Sequence, residues 1–354
     1  MVLWRRHPGS RPQLASTEAA GRFVAGSHAV AGTVAWVADQ GGTGPRGSRR
    51  SRVHGMGGVA YGLGMDIPIL RVVTLNAGSC LEPHWDLRRH EILAWLDELD
   101  ADIVCLQEIW EDATHENTAD WLVSQQPVGR WHWVFGGFPF AFARSETPDS
   151  VRFGSAILSR WPIDEHELYA LPVDPDPAVD HPGWRLQFEL LRARTAGIDV
   201  YSTHLAPPPA QAYHRLRQVH FIDDTVRATR DPEAACGPIL CGDFNAEHDS
   251  EEVRYLCGLA TIDGRSTYYQ EAWRAAGNTD PGYTSDWRTN PMNAPFNVPM
   301  KRIDFIFAGD PFFRPQGAGL VVSAALIGHE ARTGIHASDH FGVTADIRWP
   351  QRPR

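Results

Sequence analysis

Six short polar motifs each follow or interrupt an apolar run, and their side chains suit metal-assisted or acid–base chemistry. TLN ends in Asn76, CLQE ends in Glu108, STHL carries His204, and CGDFN carries Asp243 and Asn245. Further on, RIDFIF holds Asp304 beside Arg302, and SDHFGV holds Asp339 and His340. Taken singly, Asn76 reads as a turn residue, Glu108 as a helix-start charge and His204 as a satisfied core histidine. Asp304 resists such a reading, because a carboxylate between apolar strand residues is costly unless paired or bound to a cation. Together, Asn76, Glu108, Asp243, Asn245 and Asp339 are hard oxygen donors of the kind Mg²⁺ takes, with one or two carboxylates bound directly and several waters kept. Two histidines and a spare carboxylate suit proton transfer or stabilisation of transition-state charge. The reaction that this set fits is attack of water on a phosphoester.

Regular elements must carry these groups. IPILRVVTLN is a β-branched strand pattern, followed by DLRRHEILAWLDELD with Ile92, Trp95, Leu96 and Leu99 at helical spacing. DIVCLQE, FGSAILSRWPI and GIDVYSTHL read as strands, QAYHRLRQVHFIDDTVRA as a helix, and PILCGDFN as a strand. In an extended chain i and i+2 share a face, which predicts Asp243 and Asn245 side by side. Asp249 and Glu252 before VRYL predict an acidic capping box. RIDFIFAG, GLVVSAAL and FGVTADI complete the strands. Strands with intervening helices, without repeats, predict one α/β domain over residues 66–350.

Residues 1–65 differ. They are rich in Gly, Arg and Ser, and hold eight Arg against Glu18 and Asp39. The net charge is −10 and that of this segment +6, so the remainder carries a net −16, and its overall field does not attract polyanions. The segment reads as a disordered or non-native extension with Met65 as an alternative start. A weak secretion signal is the alternative, so the expected location is cytoplasmic, with secretion the second reading. No run approaches the roughly 18 apolar residues of a membrane span. Five cysteines, with Cys105 and Cys241 in strand runs, suit buried thiols.

TLN, DIVCLQE, GSAILS, STHL, GDFNAE, RIDFIF and SDHFGV, in this order from about Ile67 to Ile347, resemble the endonuclease/exonuclease/phosphatase superfamily with its DNase I-like fold. The resemblance implies a four-layer α/β/β/α sandwich of two mixed β-sheets flanked by helices. It implies Mg²⁺, replaceable by Mn²⁺, held by Glu108 with Asn76 and Asp339. Asp243 would orient or deprotonate water, Asn245 would hold a phosphoryl oxygen, Asp304 would fix the tautomer of His340, and His204 would meet the scissile phosphate. Whether His340 or Asp243 is the base stays open. STHL aligns the chain with the branches that keep this histidine; for its glutamate partner in DNase I, Glu116 and Glu146 are the candidates.

Trp131, Trp133 and Phe138, and Trp287 with Arg288, fall between motifs, where this fold places rim loops. They could stack on a base or sugar and grip phosphate, or simply cover core edges. Arg152, Arg185 and Arg302 are candidate phosphate contacts. Without a polybasic run, the expected partner is a small or short phosphorylated substrate of a monomeric enzyme, with a nuclease or sphingomyelinase-like phosphodiesterase as alternatives. A non-catalytic binding module is the reading from another class.

Overall fold

The computed structural model describes residues 68–80, 82–139, 141–142, 151–173, 184–185, 187–296 and 298–350. The expectations for residues 1–65 and for Glu146 lie outside these residues.

The chain opens with β1 (Ile69–Asn76), α1 (Trp85–Leu99), β2 (Ile103–Glu111), α2 (Thr118–Ser124) and β3 (His132–Pro139). There follow β4 (Ala141–Phe142), β5 (Arg152–Ser159), β6 (Ile163–Ala170), β7 (Trp184–Arg185), β8 (Glu189–Thr195) and β9 (Ile198–His204). The last part holds α3 (Ala212–Thr229), β10 (Ile239–Asp243), α4 (Glu251–Leu256), β11 (Tyr269–Glu271) and α5 (Ala272–Ala275). It closes with β12 (Asp304–Gly309), β13 (Val321–Ile327) and β14 (Gly342–Arg348).

Two six-stranded sheets result, ordered β13-β14-β1-β2-β5-β3 and β11-β12-β10-β9-β8-β6. Each is mixed. β1 runs parallel to β2 and β9 parallel to β10, each pair joined through a helix, α1 or α3, while the remaining pairs are antiparallel. One core layer lies between the sheets, built from Leu70, Val72, Ile103, Cys105, Ile157, Leu191, Val200, Cys241, Ile306 and Val343. The outer face of the first sheet packs Val73, Leu75, Val104 and Leu158 on Ile92, Trp95 and Leu96 of α1. The outer face of the second packs Tyr201, Leu240, Phe305 and Phe307 on Val219, Ile222 and Val226 of α3. This is the four-layer sandwich. Each large aliphatic side chain so buried contributes about 1.5–3 kcal/mol.

Strand periodicity positions the site. On β1 the inward row Leu70, Val72 continues as Thr74 and Asn76; on β9, Ile198 and Val200 continue as Ser202 and His204; on β10, Ile239 and Cys241 continue as Asp243. Toward one end of the inter-sheet layer, apolar rows thus become polar. Buried hydrogen bonds cross between the sheets there, from Gln107 Nε2 to Ser202 Oγ at 3.0 Å and from Ser155 Oγ to Glu189 Oε1 at 2.8 Å.

Three local expectations are corrected. The stretch around Trp131–Phe138 is not a rim loop: His132–Pro139 is strand β3, paired with β5, and Trp131 is buried in the α1-side core. Alternation in WVFGGF was masked by aromatics on both faces. The cap of α4 is Ser250, whose Oγ accepts from Val253 N–H, while Glu252 pairs with Arg215 at 3.2 Å. β10 ends at Asp243, and Asn245 turns left-handed at φ 48°, so the shared-face argument stops one residue short. The cysteines are free, all buried except half-buried Cys80. Among the described residues no helix is long and apolar enough to cross a membrane.

Candidate active site

The polar strand ends converge from both sheets. Asn76 and Glu108 come from the C-terminal ends of parallel β1 and β2, and His204 and Asp243 from those of β9 and β10. The antiparallel strands contribute from their starts: Asp304 opens β12 opposite Asp243, and Asp339 and His340 precede β14.

Glu108 occupies a bulge. The β2–β5 register shifts between Leu106 and Ile109, and Glu108 has φ 59°, unusual for a residue with a side chain. The extra residue lets Gln107 and Glu108 both serve the polar end of the layer, where strict alternation would turn Glu108 into the α1-side core. Gly242 answers a second local demand. A Cβ there would stand 1.9 Å from the Thr203 carbonyl oxygen, so the GDFN glycine is what allows β10 and β9 to approach.

Asp243 is the hub. Its Oδ1 accepts the Asn245 N–H at 2.8 Å, and its Oδ2 accepts from Asn76 Nδ2 at 3.1 Å. The same Oδ2 faces His204 Nε2 at 3.5 Å and His340 Nε2 at 3.9 Å. Asn76 Nδ2 also donates to Glu108 Oε1 at 3.1 Å, while its Oδ1 takes the Gly78 N–H. Asn76 therefore orients two carboxylates. His340 Nδ1 meets Asp304 Oδ2 at 3.0 Å, which leaves Nε2 pointing to the hub. Asp243, Asp304 and His340 offer atoms within 4.8 Å of one another, a spacing that a metal could use. The Asp304–His340 contact occupies Nδ1 of the imidazole.

Electrostatics separates the two histidines. Burial pushes His204 below its ordinary pKa, against the pull of Asp243 and Glu108. Burial also opposes charge on His340, but Asp304, Asp339 and Asp243 hold it well above its ordinary value. Burial, then repulsion from Asp304, raises Asp243.

The acids fit a divalent cation. Asp339 Oδ2 and both carboxylate oxygens of Glu82 are buried without a hydrogen-bond partner. Burial and the charges of Asp339 and Glu108 push Glu82 up to about 8, with Arg88 3.6 Å away. Hard, negative, incompletely satisfied oxygens are what Mg²⁺ or Mn²⁺ binds.

Other expected residues are placed elsewhere. Arg302 is 6% exposed, 3.5 Å from Glu271 and packed over the Trp273 and Phe305 rings. Asp304 continues the inner row of Ile306 and Ala308 while Phe305 faces the helices, so Arg302, over the Phe305 ring, lies on the helix-facing side. Arg152 bonds the Gly137 carbonyl and pairs with Glu111. Arg185 lies in the short β7. Glu116 pairs with Arg89 on the surface and does not meet His204. Instead, the Phe188 ring packs against His204, and the register of β8 on β9 carries Glu189 toward it. Trp287 stays 41% exposed, with Arg288 over its ring at 5.6 Å. Their loop is tied to the SDH motif by Asn290 Nδ2 to the Ser338 carbonyl at 2.9 Å and Asn293 Nδ2 to the Asp339 carbonyl at 3.1 Å.

Sequence reading missed Glu82, Glu189, Ser155, Asn290 and Asn293. Ser202, Gln107 and Ser155 were within reach of period-2 counting from His204, Cys105 and Ile157; the others lie in turns or loops or at a strand start, where polar residues are ordinary.

Comparison with known proteins agrees with this fold. A model for the "Endonuclease/Exonuclease/phosphatase family" matches residues 73–340. "Uncharacterized protein YbhP" of Escherichia coli (strain K12) is 26% identical over 264 residues, covering 70% of this chain and 83% of that protein. The TDP2 structure from C. elegans superposes with a TM-score of 0.56 at 20% identity, covering 81% of this chain and 78% of that one. D. rerio TDP2 complexed with single strand DNA product gives a TM-score of 0.57 at 20% identity, covering 79% and 98%. The match spans the strands that deliver Asp243, His204 and Asp304, and the chain belongs to the endonuclease/exonuclease/phosphatase family.

Proposed function

We propose that the protein is a Mg²⁺-dependent hydrolase of phosphoester bonds acting on a small or short phosphorylated substrate. The observation that carries this reading is Asp243 Oδ2, reached at once by Asn76 and facing both histidine Nε2 atoms from strands of two different sheets. Glu108 and Asp339 would hold the cation, with Asn76 fixing Glu108, and the ion would supply Lewis-acid stabilisation of charge on the phosphoryl oxygens.

The protein groups divide the remaining work. Asp243, raised by burial, is placed to orient water and take its proton. His340, its Nδ1 engaged by Asp304, presents Nε2–H toward the phosphoryl oxygens. His204, kept neutral by burial, stands on the other side of Asp243, positioned to exchange a proton with the leaving oxygen. Asn245 supplies a further amide at the rim, although its Nδ2 also donates to the Leu205 carbonyl at 3.0 Å. Trp287 and Arg288 suit a base or sugar ring followed by phosphate.

A nuclease is the second reading, favoured by the fold shared with TDP2 bound to single strand DNA product. The deciding experiment sets phosphomonoesters, phosphodiesters, phospholipids and oligonucleotides against the full chain with Mg²⁺, Mn²⁺ or EDTA. Turnover with either ion and none in EDTA is the expected result. Efficient cleavage of oligonucleotides alone would move the reading to a nuclease, and inactivity across the panel would refute it.

A further inference from the structure

Glu82 sits in the turn between β1 and α1, where its N–H closes on the Ser79 carbonyl at 3.1 Å. Its side chain is 9% exposed, and among the described residues neither carboxylate oxygen receives a hydrogen bond. The carboxylate reaches inward over Gly78, which has φ +63°; a Cβ on Gly78 would stand 2.5 Å from Glu82 Oε2. Glycine thus provides the left-handed turn and the room for the carboxylate together.

Among the described residues, the cation beside Glu82 does not satisfy it. Arg88 Nη2 is 3.6 Å away, but the guanidinium already donates to carbonyls: Nη1 to Ala77 at 2.8 Å and Ala337 at 3.1 Å, Nη2 to Ser79 at 2.7 Å, and Nε to Pro83 at 3.1 Å. Those bonds have a second consequence. They lock the turn carrying Glu82 to Ala337, two residues before Asp339, whose Oδ2 is likewise buried and without a partner. Two acid-bearing loops are therefore one frame. The charges of Asp339 and Glu108 both act on Glu82. A buried carboxylate to which no described donor bonds is costly unless a cation meets it.

We propose that Glu82 is a further ligand of the divalent cation, a third carboxylate presented to it by the turn after β1. The inference rests on the metal-dependent reading of the site. Added carboxylate charge is a direct means of tuning affinity for a hard cation, and Glu82 supplies it from a segment outside the matching motifs.

The test is calorimetric titration of Mn²⁺ into the full chain, for wild type, Glu82→Gln and Glu108→Gln, with thermal unfolding of each in EDTA. Glu82→Gln is expected to weaken Mn²⁺ binding about 10- to 100-fold, the range seen when groups supporting a metal site are removed. In EDTA it is expected to unfold no earlier than wild type, because Arg88 keeps its four carbonyl partners and the amide leaves no acid to be buried without a donor. Wild-type Mn²⁺ affinity in Glu82→Gln, with binding lost in Glu108→Gln, overturns the role of Glu82 alone. Earlier unfolding in EDTA, or failure to fold, identifies Glu82 as a structural partner of Arg88 and also overturns it. No Mn²⁺ uptake by wild type overturns the metal-dependent reading itself.

Discussion

Glu189→Gln tests the electrostatics of the layer beneath the site. Glu189 is 2% exposed at the start of β8, and its Oε1 accepts from Ser155 Oγ at 2.8 Å. Burial lifts its carboxyl from 4.5 to about 8; the Ser155 bond and its own backbone oppose this, and the charge of Glu108 adds to it. In the folded chain at neutral pH the group is a protonated acid, and in the unfolded chain it is ionised. Between about pH 4.5 and 8 the folded state therefore holds the extra proton, and this stability is lost as pH rises. At 1.36 kcal/mol per pKa unit, the whole window is worth about 5 kcal/mol. Other groups tilt the curve too, so the signal is the difference between wild type and variant. Glutamine keeps an acceptor for Ser155 and cannot ionise. The two proteins should unfold together near pH 4.5, and the variant should gain steadily to about pH 8.5, by roughly 10 °C or more at 2–4 °C per kcal/mol. Thermal unfolding in EDTA by circular dichroism reads this. Parallel curves, with a difference independent of pH, would refute a neutral Glu189 in the fold. A neutral Glu189 would spare the candidate site one more negative charge, since the charge of Glu108 already acts on it.

Four other outcomes follow from named contacts. Asp243→Ala or His340→Ala should cut turnover by about 10²–10⁴ with the fold retained, and near-normal rates in both would sink the assigned roles. Asp304→Asn should also lower kcat, by about 10²–10⁴, because the amide no longer fixes the imidazole tautomer; a kcat equal to wild type would place His340 outside the proton path. Trp287→Ala should raise KM about 5- to 100-fold with little change in kcat, the range for one lost base stack; an unchanged KM for every active substrate assigns Trp287 to the surface. Arg302→Met should leave kcat and KM unchanged, since Arg302 packs on Trp273 and Phe305; a large fall in kcat would return it to the site.

The motif set was legible because it uses residues that are costly where they stand. Asp304 inside RIDFIF, His204 after an apolar run and the acid in GDFN each ask for a partner, and strand periodicity puts them at ends of inward rows. That logic failed where the backbone leaves regular geometry. Arg302 precedes β12 and turns to the opposite face, Asn245 departs left-handed after Asp243, and aromatics on both faces hid β3.

The sequence by itself determined the α/β class and the order of the motifs, because periodicity and the cost of buried charge are local properties; the two-sheet sandwich entered through the resemblance that those motifs carry. Only the tertiary structure decided which groups meet. Asn76 and Asp243 are 167 positions apart, and Asp304 and His340 36, and each pair forms one hydrogen bond. Glu82 and Glu189 gain their character solely from burial beside groups distant in the chain. A carboxylate in a turn or at a strand start carries no mark of its surroundings until packing removes the water.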